Sequence, residues 1–290
     1  MFFLDALLTG LVLGGIYALI ALGLTLQYGV ARIMNLSYGE FLIAAAFGAY
    51  VLFSGFSVNP VFGLLAALPI AFAINWLLFQ LMLVPLLHRA KDQAALEVDS
   101  ILVTFGLLFV VQGVLLIVFG GQYYSYTYLS IPITIAGSTV ALNKLVACAF
   151  AVGIACILSL VLTRTRSGTA IRAVAVDPIA AQLVGINVAL AAAFAFALGG
   201  ALVAAAGMLV SMFITFNAVM GVVFTLKALI IVIMGGVGNV FGALVAGLIL
   251  GLAEAFVTLF DPGLTLAVNF LLFLIVLLIR PTGLFGRRTR

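Results

Sequence analysis

The sequence predicts an all-α polytopic membrane protein of about eight to ten transmembrane or re-entrant helices, and three observations carry that reading. Apolar residues make up 67% of the 290, charged residues only 7%, and the mean hydropathy is +1.44. An average soluble domain is about one quarter charged. Apolar runs of about 18 residues or more recur along the chain, which is the length a helix needs to cross a bilayer core. The twelve Lys and Arg fall mainly between those runs and in the C-terminal tail, where orientation across a membrane places them. That placement accounts for the net charge of +4 without a nucleic-acid partner and leaves membrane lipid as the surroundings. No stretch suits a sizeable soluble domain, so residues 1–290 read as one transmembrane domain.

Phe2–Leu26 is the first span, since Met1–Leu26 lacks the basic leading segment of a cleaved signal peptide. Gln27–Glu40 is a polar break, and the apolar run after it, Phe41–Phe53, is too short to cross without part of that break. Irregular backbone at membrane depth is tolerated only where it faces protein or a water-filled cavity, which makes Tyr28–Glu40 a candidate pathway element. Glu40 is either a pathway carboxylate near a substrate ammonium or a first-turn carboxylate capping helix amides. Asn35 and Ser37 are candidate caps of the same helix.

Val61–Leu87, interrupted by Pro69 and Pro85, is the third run and ends at the mixed-charge loop His88–Ser100. Ile101–Phe119 is the fourth. Gly120–Ala141 has no Lys or Arg but holds Tyr123, Tyr124, Tyr126 and Tyr128, the pattern of a non-cytoplasmic loop with an interfacial aromatic cluster. Leu142–Leu162 returns across the membrane. Its Cys148 and Cys156 read as small packing residues rather than a disulfide or metal pair.

Thr163–Gly185 is the longest polar interval. It carries Arg164, Arg166 and Arg172, glycines at turn positions (Gly168, Gly185) and Asp177-Pro178. Its arginines place it on the cytoplasmic side, and Thr169–Leu183 suits a short amphipathic helix. A connector needs only a few residues, so this loop reads as a docking surface for a cytoplasmic partner. Ile186–Ile214 crosses again, and Phe224–Met234 is a short span or a re-entrant dip. Ala243–Leu259 and Leu264–Ile279 complete the spans. The tail RPTGLFGRRTR puts the C-terminus in the cytoplasm, and parity then favours a non-cytoplasmic N-terminus.

Within the late segments, Lys227 and Glu254 either pair or act separately. Separate action is the preferred reading: Lys227 snorkels to the interface and Glu254 bonds a neighbouring helix. Gly235, Gly236, Gly238, Gly242, Gly247 and Gly251 lack the Gly-Lys-Ser/Thr ending of a phosphate loop and read as a turn followed by close helix packing. LGGIYALIALG (Leu13–Gly23) and LGGALVAAAG (Leu198–Gly207), followed by Asn35/Gly39 and Asn217/Gly221, suggest an internal duplication, a common transporter device. His88 is the only histidine, and no nucleophile–base pair, metal-ligand set or cofactor motif accompanies it.

Gly15–Tyr50 resembles the opening of the branched-chain amino acid permease subunits of ABC importers, the LivH-like branch. Arg166–Val188 is similar to that family's ATPase-engaging loop, Ile233–Glu254 to its glycine-rich late segment, and Arg280–Gly286 to its C-terminal signature. The resemblance implies an ABC importer permease fold and a multi-pass subunit of a bacterial or archaeal cytoplasmic (inner) membrane. It implies as partners a second, usually non-identical permease, two cytoplasmic ATP-binding subunits and an extracytoplasmic substrate-binding protein. ATP hydrolysis would belong to the separate ATPase, so this chain is a transport subunit, not an enzyme, with no cofactor. The carried-over coupling residues are Arg166, Gly168, Arg172, Ala173, Asp177, Ala181 and Gly185, and those of the translocation break are Asn35, Gly39 and Glu40. Tyr38, where relatives often have His or Gln, departs from the pattern. The implied substrates are Leu, Ile or Val, with urea, short amides or other amino acids as the alternative. An ion-coupled secondary transporter would need embedded carboxylates, for which only Glu40 and Glu254 qualify.

Overall fold

A computed structural model describes residues 2–89, 93–135 and 138–286. Its helices are α1 (Phe2–Ala31), α2 (Tyr38–Phe56), α3 (Pro60–Leu78), α4 (Val84–Arg89), α5 (Gln93–Phe119), α6 (Leu142–Arg164), α7 (Arg166–Val176), α8 (Pro178–Leu183), α9 (Val188–Ser211), α10 (Gly221–Gly235), α11 (Val240–Thr258) and α12 (Thr265–Ile279). Among the described residues, eight stretches are long and apolar enough to cross a bilayer. α10 is a shorter apolar helix of 15 residues, about 22 Å at 1.5 Å per residue, less than a hydrocarbon core of about 30 Å. The all-α polytopic architecture is as expected, and one short feature is added to it: β1 (Pro132–Ile135) and β2 (Ser138–Ala141) form an antiparallel hairpin in the tyrosine-rich loop.

Several boundaries differ from the hydropathy reading for local reasons. α2 begins at Tyr38, three residues before the apolar run, and is a full 19-residue helix. α5 begins inside the expected loop, because Ala95, Ala94 and Leu96 are strong helix formers despite the neighbouring charges. Pro69 is contained within α3, and Phe79–Leu83 widens to a π turn joining α3 to α4. That widening accommodates Pro85, which lacks an amide donor and whose ring would clash with the carbonyl four residues back. The side chain of His88, the residues Ala90–Asp92 and the tail charges Arg287, Arg288 and Arg290 lie outside the described residues.

α1 and α9 are the centre. Within their apolar windows 67% and 72% of residues are buried, against 17% for the α3 and α5 spans and 6% for the last. The outer helices turn Leu65, Ile117, Val118 and Leu278 outward, which suits contact with acyl chains. Small residues let the central helices close on one another. A Cβ on Gly247 of α11 would stand 2.7 Å from the Cα of Ala18, so the glycine series is a packing device, as read.

The bundle has two distinct ends. At one, the hairpin loop joins the chain after α9: Tyr124 and Phe216 exchange backbone hydrogen bonds of 2.8 and 3.0 Å. Phe47 of α2 stacks there on Phe119 at 4.1 Å, and the Tyr126 and Ser211 hydroxyls bond at 2.9 Å. Burial pushes the Tyr126 phenol up to about 12, so it keeps its proton at physiological pH. At the other end, the C-terminal stretch closes over α10 through Leu284 N–H to the Met234 carbonyl (2.8 Å) and Phe285 N–H to that of Gly235 (3.2 Å). α7 and α8 lie at this second end.

Candidate functional site

The polar break is shorter than its composition suggests. α1 runs on to Ala31, and Arg32, in the left-handed region at φ 56°, ends it. Arg32–Ser37 then doubles back, and α2 starts beside the middle of α1: the Tyr38 hydroxyl donates to the Ile20 carbonyl at 2.8 Å. Asn35, Ser37, Tyr38 and Glu40 have no exposed surface. The Asn35 carboxamide oxygen accepts from the Ser37 amide (3.1 Å) and hydroxyl (2.7 Å). Its amide nitrogen donates to Gln27 (3.1 Å), which in turn donates to the Phe196 carbonyl of α9 (2.9 Å). Asn35 therefore fixes the turn, and Ser37, expected as a cap, makes no side-chain bond to α2 amides.

α2 meets α10 head to head. The Gly39 amide donates to the Thr225 hydroxyl at 2.8 Å, and a Cβ on Gly39 would overlap the Gly221 carbonyl. Glu40 lies against Gly221 so closely that a Cβ there would fall on its carboxylate. Both Glu40 oxygens lack a hydrogen-bond partner among the described residues, so the capping role considered for it is not taken. It sits where two helix N-termini converge, a favourable field for negative charge. Thr225 and Gly221 join the site although no motif places them there. The signal was present in the matched Asn35/Gly39 and Asn217/Gly221 spacings: each Asn side chain accepts from the amide two residues on, 3.1 and 3.2 Å away.

The second predicted place, Thr163–Gly185, is an elbow of two helices, not one helix over Thr169–Leu183. Asp177 breaks it by capping α8, accepting from the Ile179 and Ala180 amides at 2.9 and 3.0 Å ahead of Pro178, which suits a first helical position. Thr165 caps α7 through the Gly168 amide (3.0 Å). Gly168 is required by contact, since a Cβ would strike the backbone of Val161 and Leu162 on α6. Ala181 is buried, Ala173 half-buried, and Gly185 takes φ 82° after α8. Arg166, Arg172 and Asp177 are exposed. Beside them Val176, Ile179, Leu183 and Val184 are 72–83% exposed. The predicted residues thus divide into anchors that seat the elbow and a charged, apolar face that nothing among the described residues covers. A cleft of about 720 Å³ separates α7 from the end of α1 and the C-terminal stretch, with Arg32, Arg172, Asn239 and Phe285 on its walls.

The third polar group is a correction. Lys227 does not snorkel: its ammonium donates to both Glu254 oxygens (2.8 and 2.9 Å) and to the Tyr17 hydroxyl (2.7 Å). It also lies 4.8 Å from the Tyr17 ring centroid, and Asn269 approaches Glu254 at 3.5 Å. This ties α10 to α1, α11 and α12.

Residues 6–277 match a protein-family model described as branched-chain amino acid transport system / permease component. The high-affinity branched-chain amino acid transport system permease protein LivH of Salmonella typhimurium is 28% identical, over 99% of this chain and 96% of the relative. BraD of Pseudomonas aeruginosa, described in the same words, is 29% identical over 98% and 96%. A probable LivH from Methanocaldococcus jannaschii is 26% identical over 95% and 90%. No solved structure matches.

Proposed function

The chain belongs to the branched-chain amino acid transport system permease family, and on that premise we propose that it forms half of the translocation pathway of an ATP-driven importer for Leu, Ile and Val. A second permease completes the pathway, two cytoplasmic ATP-binding subunits drive it, and an extracytoplasmic binding protein delivers substrate. The α7–α8 elbow and the C-terminus lie in the cytoplasm. The observation that carries this reading is the elbow: a rigidly seated pair of short helices presenting four exposed aliphatic side chains beside Arg166 and Arg172. Apolar exposure of that kind marks a protein interface.

In this mechanism the ATPase dimer closes on ATP and pushes the elbow. Gly168, packed onto α6 without clearance, passes the motion to the spans. The α2–α10 crossing at Gly39 and Gly221 is the closed constriction, and the buried Asn35, Tyr38 and Glu40 become pathway surface as the two N-termini part.

The test is uptake of a labelled amino-acid panel by cells expressing the full transport system with wild-type or Arg172→Glu permease. ATP-dependent uptake of Leu, Ile or Val, abolished by the reversal while the subunit still inserts, is the expected result. Full activity in Arg172→Glu sinks the docking role, and uptake confined to another solute class, such as amides, moves the substrate assignment.

A further inference from the structure

α9 ends at Ser211 and α10 starts only at Gly221. A cavity of about 330 Å³ lies between α1, α6, α10 and α11. Its volume holds roughly ten waters, or a small molecule of comparable heavy-atom count. The walls are mostly apolar, with Leu13, Ile214, Val223 and Phe224 among them, while Lys144 and Glu254 supply opposite charges and Lys227, paired to Glu254, lines the cavity as well. A second cavity, of about 310 Å³ and lined by Tyr126 and Asn143 of the hairpin end, shares Lys144, Phe213 and Ile214 with the first, so the two adjoin.

The two charges are in different states. Lys227 spends its three donors on Glu254 and Tyr17. Glu254, 13% exposed, keeps lone pairs beyond those bonds, since a carboxylate has about four acceptor sites. Lys144 is partly buried, and among the described residues its ammonium has no hydrogen bond or ion pair. A cation that lines an apolar cavity and has no partner among the described residues is a ready site for an anion. Pinning α10 accounts for the Lys227–Glu254 pair and leaves Lys144 unexplained.

We propose that this cavity is a binding station for a zwitterionic amino acid with an aliphatic side chain: its carboxylate meets Lys144, its ammonium meets Glu254, and its side chain lies along the apolar walls. The proposal rests on the importer reading and adds a recognition site inside the permease itself, away from the Asn35–Glu40 crossing.

The test is binding of labelled leucine to the assembled importer in nanodiscs, permeases and ATPases together with the binding protein omitted. Leucinamide, which lacks the carboxylate, and 4-methylpentanoate, which lacks the ammonium, serve as competitors. Wild type should bind leucine saturably and discriminate against each analogue by about tenfold or more, the scale of one lost charge-assisted hydrogen bond. Lys144→Gln should weaken leucine by a similar factor and lose discrimination against leucinamide only, and Lys144→Arg should restore both. A purely structural lysine would not move that selectivity. Equal binding and selectivity in wild type and Lys144→Gln overturns the proposal, as does an assembly that imports leucine yet shows no saturable binding here. Loss of ATP-dependent uptake for every amino acid would strike the importer reading instead, and selectivity set by Lys144 would still stand for the cavity.

Discussion

Glu40 and Glu254 are both carboxylates of spanning helices, and the chain treats them in opposite ways. Glu254 has an ammonium on both oxygens, an amide nearby and a partner fixed by a phenol. Glu40 has no hydrogen-bond partner among the described residues and is fully buried. A buried pair resists change, because separating it strands both charges. An unfilled acceptor instead lowers the cost of leaving the packed state, since water or a cationic group can satisfy it only when the surroundings open. The difference divides the bundle into a fixed side, where α10 is tied to α1 and α11, and a crossing suited to move, where α10 touches α2 through glycines.

The largest effect should come from breaking the fixed side. Lys227→Met leaves Glu254 buried without its cation, and removing one partner of such a pair costs about 3–5 kcal/mol. Thermal unfolding of the purified assembly should show a fall of several degrees, with reduced assembly. Adding Glu254→Gln should recover most of it, because a neutral pair no longer carries stranded charge. A double variant as unstable as Lys227→Met would mean that the helices, not the ions, set this contact.

An intermediate effect belongs to the crossing. Gly39→Ala puts a methyl into the Gly221 carbonyl, and overpacking of this kind costs about 1–3 kcal/mol. The strain falls on the closed arrangement, so transport should change more than insertion does. Uncoupled basal ATP hydrolysis by the assembly, measured without binding protein, is expected to rise. Unchanged hydrolysis together with unchanged unfolding would remove Gly39 from the constriction.

Much of this was legible in residue order, and the exceptions have physical causes. Run length and charge placement delivered the spans, because the bilayer acts on every residue of a helix alike. The elbow was legible in Arg166, Gly168 and Arg172, and its break was written in Asp177-Pro178, a capping acid before a first-turn proline, although apolar composition on both sides suggested one helix. The Lys227–Glu254 bond was not legible. The two stand 27 positions apart on separate helices, and whether they meet depends on how the Gly235–Asn239 turn sets the register of α10 against α11. Glu40 stands out in residue order as a carboxylate at the head of an apolar run, but Gly221 and Thr225, which meet this segment, lie more than 180 residues away, and only the repeated Asn–Gly spacing hints that the two segments meet.

The smallest stability effect, and the most informative, is expected for Glu40→Gln. The substitution keeps shape and removes the charge. If the carboxylate has no partner, nothing is broken, and a neutral amide is cheaper to bury than an ion. Unfolding of the assembly should then occur at or slightly above the wild-type temperature, against the clear loss in Lys227→Met. Uptake should nevertheless fall, because the charge acts only when α2 and α10 separate and the carboxylate meets the pathway. A stable, inserted and inactive variant would place the need for Glu40 in the opened state. Destabilisation as large as that of Lys227→Met would show instead that Glu40 is held by a partner as Glu254 is, and the division between a fixed side and a moving side would fail.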